Sequence, residues 1–419
     1  MARIEVELGD DHADLVSHDT FVNGVPYATF DRLRREDPVS WWDEEDGRGF
    51  WSVTRYDDVL TVSRNTDVFS SAQGIRLEDM DEEETNARRT LMEMDAPEHT
   101  RYRRMVSRAF SRREVMAYEA AIRALATQLV SEVRGTPTLD FTKMVSRQLP
   151  MRMLGQMLGL PNDDSEWLVT RGDALIANTD DDFTEYVVDK VNTDDYRLLP
   201  FRSPIALELM DYANKAFAER RANPKEDLLT LLLSPMVDGE FLTEAELANF
   251  FTLMVAAGND TTRYSMSAAM KALIERPEIR QRLVADPSLM PVAVDEMLRW
   301  GSVTMNFRRT AIQDTELGGK SIKAGDKVLM WFVSANYDAD QFDEPYFFNM
   351  ERTPNNHVTF GLHSPHLCLG AHLARLELRV LFEELLPFVN DIEFAAPPTR
   401  LRSNFISGLK TLPVTIDWK

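Results

Sequence analysis

From roughly Asp57 to residue 300, apolar side chains recur at helical spacing, with breaks at Pro97, Pro137, Pro161 and Pro224. Proline lacks a backbone donor and crowds the turn before it, so each break predicts a helix boundary. Ahead of this stretch, Pro26 suits the first turn of a short helix. Val39–Trp42 and Phe50–Val53 flank the turn-rich E-E-D-G-R-G, which predicts a small hairpin. The acid-rich stretches Glu78–Glu84 and Thr179–Asp182 read as loops. After Arg299 the pattern changes: Val303–Arg308, Lys327–Val333, Ile392–Phe394 and Leu412–Trp418 are β-prone. A helix returns over Leu369–Leu386, apolar at Leu378, Leu381, Phe382 and Leu385, and Pro387 stops it. There is no internal repeat and no low-complexity linker. The pattern is that of a mainly α protein with a minor β part.

One predicted helix is unusually long. Thr243–Glu246 reads T-E-A-E, a capping box, and nothing interrupts the helix until Pro277. Residues 244–276 would make 33 residues, about 50 Å at the usual helical rise. Its middle carries Gly258-Asn259-Asp260-Thr261-Thr262, all poor helix formers. The run predicts a local loosening, with side chains taking over backbone hydrogen bonds.

Composition narrows the function. The chain has 47 basic and 69 acidic side chains, a net charge of −22, which disfavours nucleic acid and anionic membranes as partners. A single cysteine excludes an internal disulfide framework and suits a reducing compartment. The start, M-A-R-I-E-V-E-L-G-D-D, lacks the features of a signal peptide. The longest apolar run, near Phe250–Ala257, is far short of a membrane span, so a soluble cytoplasmic protein is expected. Against this acidic background, residues 101–113 hold six arginines and no acid. They form either a solvated helix face or a docking surface for an acidic protein.

The one cysteine lies in H357-V-T-F-G-L-H-S-P-H-L-C-L-G-A-H-L-A-R375, a tight loop marked by Gly361 and Pro365. A cysteine just before a helix meets open N–H groups and the positive end of the dipole, both favouring thiolate. Thiolate is the haem-iron ligand that promotes O–O cleavage. Two other readings exist: a small apolar filler, or a zinc site from His363, His366, Cys368 and His372.

Three segments together resemble the cytochrome P450 family over nearly the whole chain: A257-G-N-D-T-T262, E296-M-L-R299, and the cysteine loop with its L-G-x-x-L-A-R. The resemblance implies one domain over residues 1–419, with a long central helix and a cysteine-ligand loop enclosing haem b. It implies Cys368 as the iron ligand, with His99, Arg103, Arg309 and His366 on the haem propionates and His357 as a further candidate. Gly258 and Phe360 would lie against the haem. Asp260 and Thr261 would deliver protons during monooxygenation, and Glu296 and Arg299 would form a buried structural pair. Leu253, Ala257, Val303, Met305 and Phe405, all apolar, occupy positions that line the substrate pocket in the family.

The chain lacks a G-x-G-x-x-G fingerprint, and Asp314 stands where a phosphate loop ending in Gly319-Lys320-Ser321 would need its first glycine. Electrons from NAD(P)H are therefore expected through a separate ferredoxin and its reductase. The resemblance favours a sterol, branched lipid or terpenoid substrate. The alternatives are a tailoring oxidase of polyketide or peptide biosynthesis, or a non-catalytic haem-binding sensor. Two departures stand out. Phe360 to Cys368 is eight steps where the family commonly has seven, with Ser364 in place of a glycine, so the loop should bulge. In P345-Y-F-F348, Phe347 replaces the family's arginine, leaving Arg352 as the nearby substitute.

Overall fold

The Thr243 capping box forms as expected: Glu246 N–H donates to Thr243 Oγ1 at 3.3 Å, and Thr243 N–H donates to Glu246 Oε2 at 2.7 Å. The structure, a computed structural model, describes residues 8–44 and 47–419. Residues 1–7, the start of the chain read above for targeting signals, lie outside the described residues. Five helices carry the chemistry: α1 (Glu98–Ser107), α2 (Ser165–Ile176), α3 (Glu244–Glu275), α4 (Met290–Gly301) and α5 (Ala371–Leu385). Helix α3 ends one residue short of expectation, and Pro277 opens the next helix at its first turn. It stays α-helical through Gly258–Thr262, so the expected loosening of the helix is absent. Instead, the Thr261 hydroxyl donates to the Ala257 carbonyl at 3.0 Å, an added bond within an intact turn.

Contacts group the chain into two units. The first comprises Met1–Met80, Tyr264–Cys368 and Ala396–Leu412. Its main sheet uses β1 (Val39–Trp42), β2 (Phe50–Val53), β3 (Phe69–Ser70), β4 (Asn306–Ala311) and β5 (Lys327–Trp331), in the order β1-β2-β5-β4-β3. Only the β2–β5 pair is parallel. The predicted hairpin is β1–β2, with Val39 opposite Val53; Glu45 and Asp46 of its turn lie outside the described residues. Strand β5 is buried along its whole length, and its alternating side chains feed two cores. Val328 and Met330 join Val53, Phe69 and Val358, whereas Leu329 and Trp331 join Phe30, Phe50 and Met305.

The second unit comprises Asp81–Arg263, Leu369–Ala395 and Pro413–Lys419. Here α5 packs along the helix Glu119–Val133, with Arg123 bonding Glu383 and Glu384 at 2.6 Å each. A small antiparallel sheet joins Thr138–Asp140, Pro413–Trp418 and Val389–Phe394. The acid-rich stretch expected as a loop turns helical at Glu82–Arg88, because Asp81 caps it and acids suit a helix start. Conversely, residues 177–204 hold only short 3₁₀ turns, at Asp194–Tyr196 and Pro200–Arg202. Their Asp, Asn, Thr and Pro content favours local side-chain bonds over a helix.

Candidate active site

In the first unit, the cysteine loop is a run of turns. Gly361 N–H donates to Val358 O, Ser364 N–H to Gly361 O, and Leu367 N–H to Ser364 O. The run closes with Cys368 N–H donating to the Phe360 carbonyl at 2.9 Å. Gly361 and His363 sit at positive φ, +74° and +60°, a left-handed pair inside the loop. The closing bond fixes the backbone of Phe360 to that of Cys368, and Cys368 itself is exposed.

The cations of this unit lie on rigid supports. His366 Nε2 meets Ser71 Oγ at 3.2 Å, just past β3, and its N–H donates to Ser364 Oγ. Strand β3 pairs with β4, which carries the buried Arg309. Arg309 Nη1 donates to the Arg308 carbonyl at 2.8 Å. His357 is buried and meets Asp295 Oδ1 at 3.2 Å, so that carboxylate already engages it. In the second unit, His99 is buried and Arg103 half-buried, four apart on one face of α1. The zinc alternative fails on geometry. Among the described residues, the only acid, histidine or cysteine group close enough to share an ion is Asp180, Asp181 and Asp182.

Glu296 and Arg299 are fully buried on α4 and pair through two hydrogen bonds, at 2.7 and 2.8 Å. Burial is the largest single effect on Arg299 and opposes its charge, but the hydrogen bond and charge of Glu296, with Tyr337 and Tyr27, together hold the guanidinium pKa above its usual value. Arg352 fills the place left by Phe347: its Nε donates to Glu296 Oε2 at 3.1 Å, and its Nη2 donates to the Phe347 carbonyl at 3.1 Å. Asn349 N–H and Asn355 Nδ2 complete the acceptor sites of Glu296. Removing one partner of such a pair leaves a buried charge uncompensated. Glu296→Gln should therefore cost about 3–5 kcal/mol, read as the midpoint of denaturant unfolding. A shift equivalent to less than about 1 kcal/mol, the worth of a surface pair, would contradict this reading.

On α3, Asp260 is fully buried, bonded by Asn259 Nδ2 at 2.9 Å and facing Arg263 Nη2 at 3.3 Å. Gly258 is explained by packing, since a Cβ there would come within 3.0 Å of Leu154. Of the apolar candidates, Leu253 and Phe405 are half-buried and Ala257 is exposed. Val303 is nearly enclosed. Met305 has no exposed surface and sits in the core with Phe30 and Trp331.

The arginine segment divides. Arg101 is committed to Asp238 and Glu240, at 3.1 and 3.0 Å. Arg104, Arg108, Arg112 and Arg113 are exposed, and none forms an ion pair with a described residue. His372 on α5 adds no positive charge here at neutral pH, because partial burial, Arg375 and Arg112 together lower its pKa. Sequence reasoning missed Asp173 and Arg147, which join the Asp260 network through space.

A family model described as Cytochrome P450 matches residues 30–388. The methyl-branched lipid omega-hydroxylase of Mycobacterium tuberculosis is 37% identical over 428 aligned positions, covering 98% of this chain and 94% of that one. The steroid C26-monooxygenase of Mycolicibacterium smegmatis is 34% identical, covering 92% of this chain and 89% of its own. Among solved structures, a Mycobacterium marinum cytochrome P450 in complex with pseudoionone aligns with a TM-score of 0.84 at 37% identity, covering 93% of this chain and 94% of that one. No helix among the described residues is long and apolar enough to cross a membrane.

Proposed function

Because the chain belongs to the cytochrome P450 family, we propose that it hydroxylates a C–H bond of a sterol, branched lipid or terpenoid, with Cys368 as the thiolate ligand of haem iron. The protein is a haem monooxygenase: one atom of O2 enters the substrate and the other leaves as water, consuming two electrons and two protons. The observation that carries the assignment is the loop that presents an exposed Cys368 at the end of a closed run of turns.

The donor set fits an iron porphyrin. It offers one sulfur ligand for the metal and a set of cations for two carboxylates. By the family's pattern His99, Arg103, Arg309 and His366 hold those carboxylates, and His357 anchors the loop through Asp295. When bound, the haem supplies O2 activation and hydrogen removal from the substrate. The chain's own task is to exclude water and place protons. Asp260 holds a proton in a fully buried position, and Thr261, the next residue of α3, donates its hydroxyl hydrogen to the Ala257 carbonyl one turn back. That pair gives no advantage to a mere sensor. By the family's pattern, Leu253, Ala257, Val303, Met305 and Phe405 offer the substrate apolar contact.

The test is direct. With surrogate ferredoxin, its reductase and NADH, a lipophile that shifts the haem spectrum should be converted to a hydroxylated product in step with NADH consumed. Binding without any product from a broad set of sterols, branched lipids and terpenoids would reject the substrate class.

The electron donor is an acidic ferredoxin that docks on Arg104, Arg108, Arg112 and Arg113. Electrostatic steering typically raises association rates by about 10–10³-fold and weakens with salt. Reversing Arg104, Arg108 and Arg112 to Glu should slow reduction at low ionic strength by about tenfold or more. The wild-type rate should fall as salt is added. Equal rates for the two proteins at low salt would return these arginines to a solvated surface.

A further inference from the structure

We propose that Asp173 and Asp260 form a carboxyl pair holding one proton, with Asp173 as the positioning residue that keeps this proton on Asp260. The inference rests on the reading of Asp260 as the inner proton donor and assigns a role to a residue outside the family motifs.

The backbone brings the two acids together. Gly172 lies where α2 presses on α3, and a Cβ there would come within 3.3 Å of the Val255 carbonyl. A glycine in mid-helix costs stability, and this close approach accounts for it. The next residue, Asp173, thereby reaches the Asp260 network. Arg263 bridges the two acids, with Nη1 at 2.6 Å from Asp173 Oδ1 and Nη2 at 3.3 Å from Asp260 Oδ1. Asn259 Nδ2 spans the same two oxygens, at 3.4 and 2.9 Å.

The two carboxyl groups are not equivalent. Asp173 also accepts from Arg147 Nε at 3.0 Å, so guanidinium groups engage both of its oxygens. Arg147 continues to Glu166 at 2.8 Å and to Thr170 at 3.2 Å, and the Glu166 side chain is 65% exposed. Asp260 shares Arg263 at the longer distance, and its Oδ2 meets no hydrogen-bond partner among the described residues. Two neighbouring carboxylates resist ionising together. Asp173 is the better supported anion, so the proton rests on Asp260. The charged groups facing Asp260 are Arg263 on its own helix, Asp173 on α2, and Arg147 from the turn before Gln148–Leu158.

When the Asp260 O–H bond breaks and its proton moves inward, two carboxylates face each other across one guanidinium. Their repulsion favours recovery of a proton from bulk water, which resets the pair. Asp173 thus acts through Asp260 and does not touch the reacting atoms.

The experiment combines infrared spectroscopy with pH profiles on the haem-loaded protein. Wild type should show the carbonyl stretch of a neutral carboxyl at neutral pH, and Asp260→Asn should remove it. Asp173→Asn should let Asp260 ionise at lower pH, moving both the loss of that band and the alkaline limb of turnover downward by about one pH unit or more. One unit corresponds to about tenfold slower turnover on that limb. Asp173→Glu, which keeps the charge, should restore both. An unmoved band and limb in a folded Asp173→Asn protein would overturn the proposal while leaving Asp260 as donor. Absence of an Asp260 neutral-carboxyl band in wild type would overturn it without any Asp173 variant. Full turnover in Asp260→Asn would instead overturn the underlying reading of Asp260, while the band would still report on the pair.

Discussion

Cys368→Ser should abolish the strongly red-shifted Soret band of the reduced carbonyl adduct and with it all monooxygenase activity. The shift requires an anionic sulfur on the iron. A serine hydroxyl has a much higher pKa than a thiol, which titrates near ~8.5 when unperturbed, so serine supplies no comparable anion at neutral pH. The backbone should tolerate the exchange. The turns at Gly361, Ser364 and Leu367 and the Cys368 N–H bond to Phe360 are all backbone bonds. The variant should therefore fold, and it should either lose haem or hold it with an ordinary absorption. A retained thiolate band in Cys368→Ser, or a purified wild-type protein carrying stoichiometric zinc and no haem, would remove Cys368 from its assigned role.

That assignment was legible because the loop is local. Cysteine, turn glycine and following helix lie within one short stretch, and so do the capping box of α3 and the Glu296–Arg299 pair. Residues that meet only through space were harder to read. Phe347 signalled a missing partner for Glu296, yet Arg352 could be named only as a candidate until its Nε was seen on Glu296 Oε2. Asp173 lies 87 positions before Asp260, and the one local clue was Gly172 inside a helix. The poor helix formers at Gly258–Thr262 pointed to the right place for a partly wrong reason. The helix does not loosen there. Gly258 makes room for Leu154, Asn259 and Asp260 join a polar network, and Thr261 bonds back to Ala257. The β-prone stretch read at Val303–Arg308 begins three residues before β4 does.

Asp260→Asn and Thr261→Ala should fail in different ways. Asp260 has a pKa well above the usual aspartate range: burial raises it most, Arg263 opposes, and Asp173 adds to the rise. Held above its ordinary range, it keeps a proton that it can give up, which asparagine cannot do. General acid–base assistance is typically worth ~10²–10⁴-fold, so Asp260→Asn should slow turnover by that order. The same protonation has a sign in stability. A folded-state pKa raised above the unfolded value gives stability that is full below the unfolded carboxylate range and is lost as pH rises towards the folded value. Relative to wild type, Asp260→Asn should thus gain stability as pH rises above the ordinary aspartate range. Thr261→Ala removes a hydroxyl that donates to the Ala257 carbonyl on an intact helix. It should still bind substrate and accept electrons at nearly the wild-type rate, while more of the NADH consumed ends as hydrogen peroxide and less as product. Measuring NADH, peroxide and product together separates the two residues: slow but coupled turnover marks a lost proton donor, and fast but uncoupled turnover marks a lost hydroxyl. Full coupling in Thr261→Ala would leave Thr261 with helix packing alone.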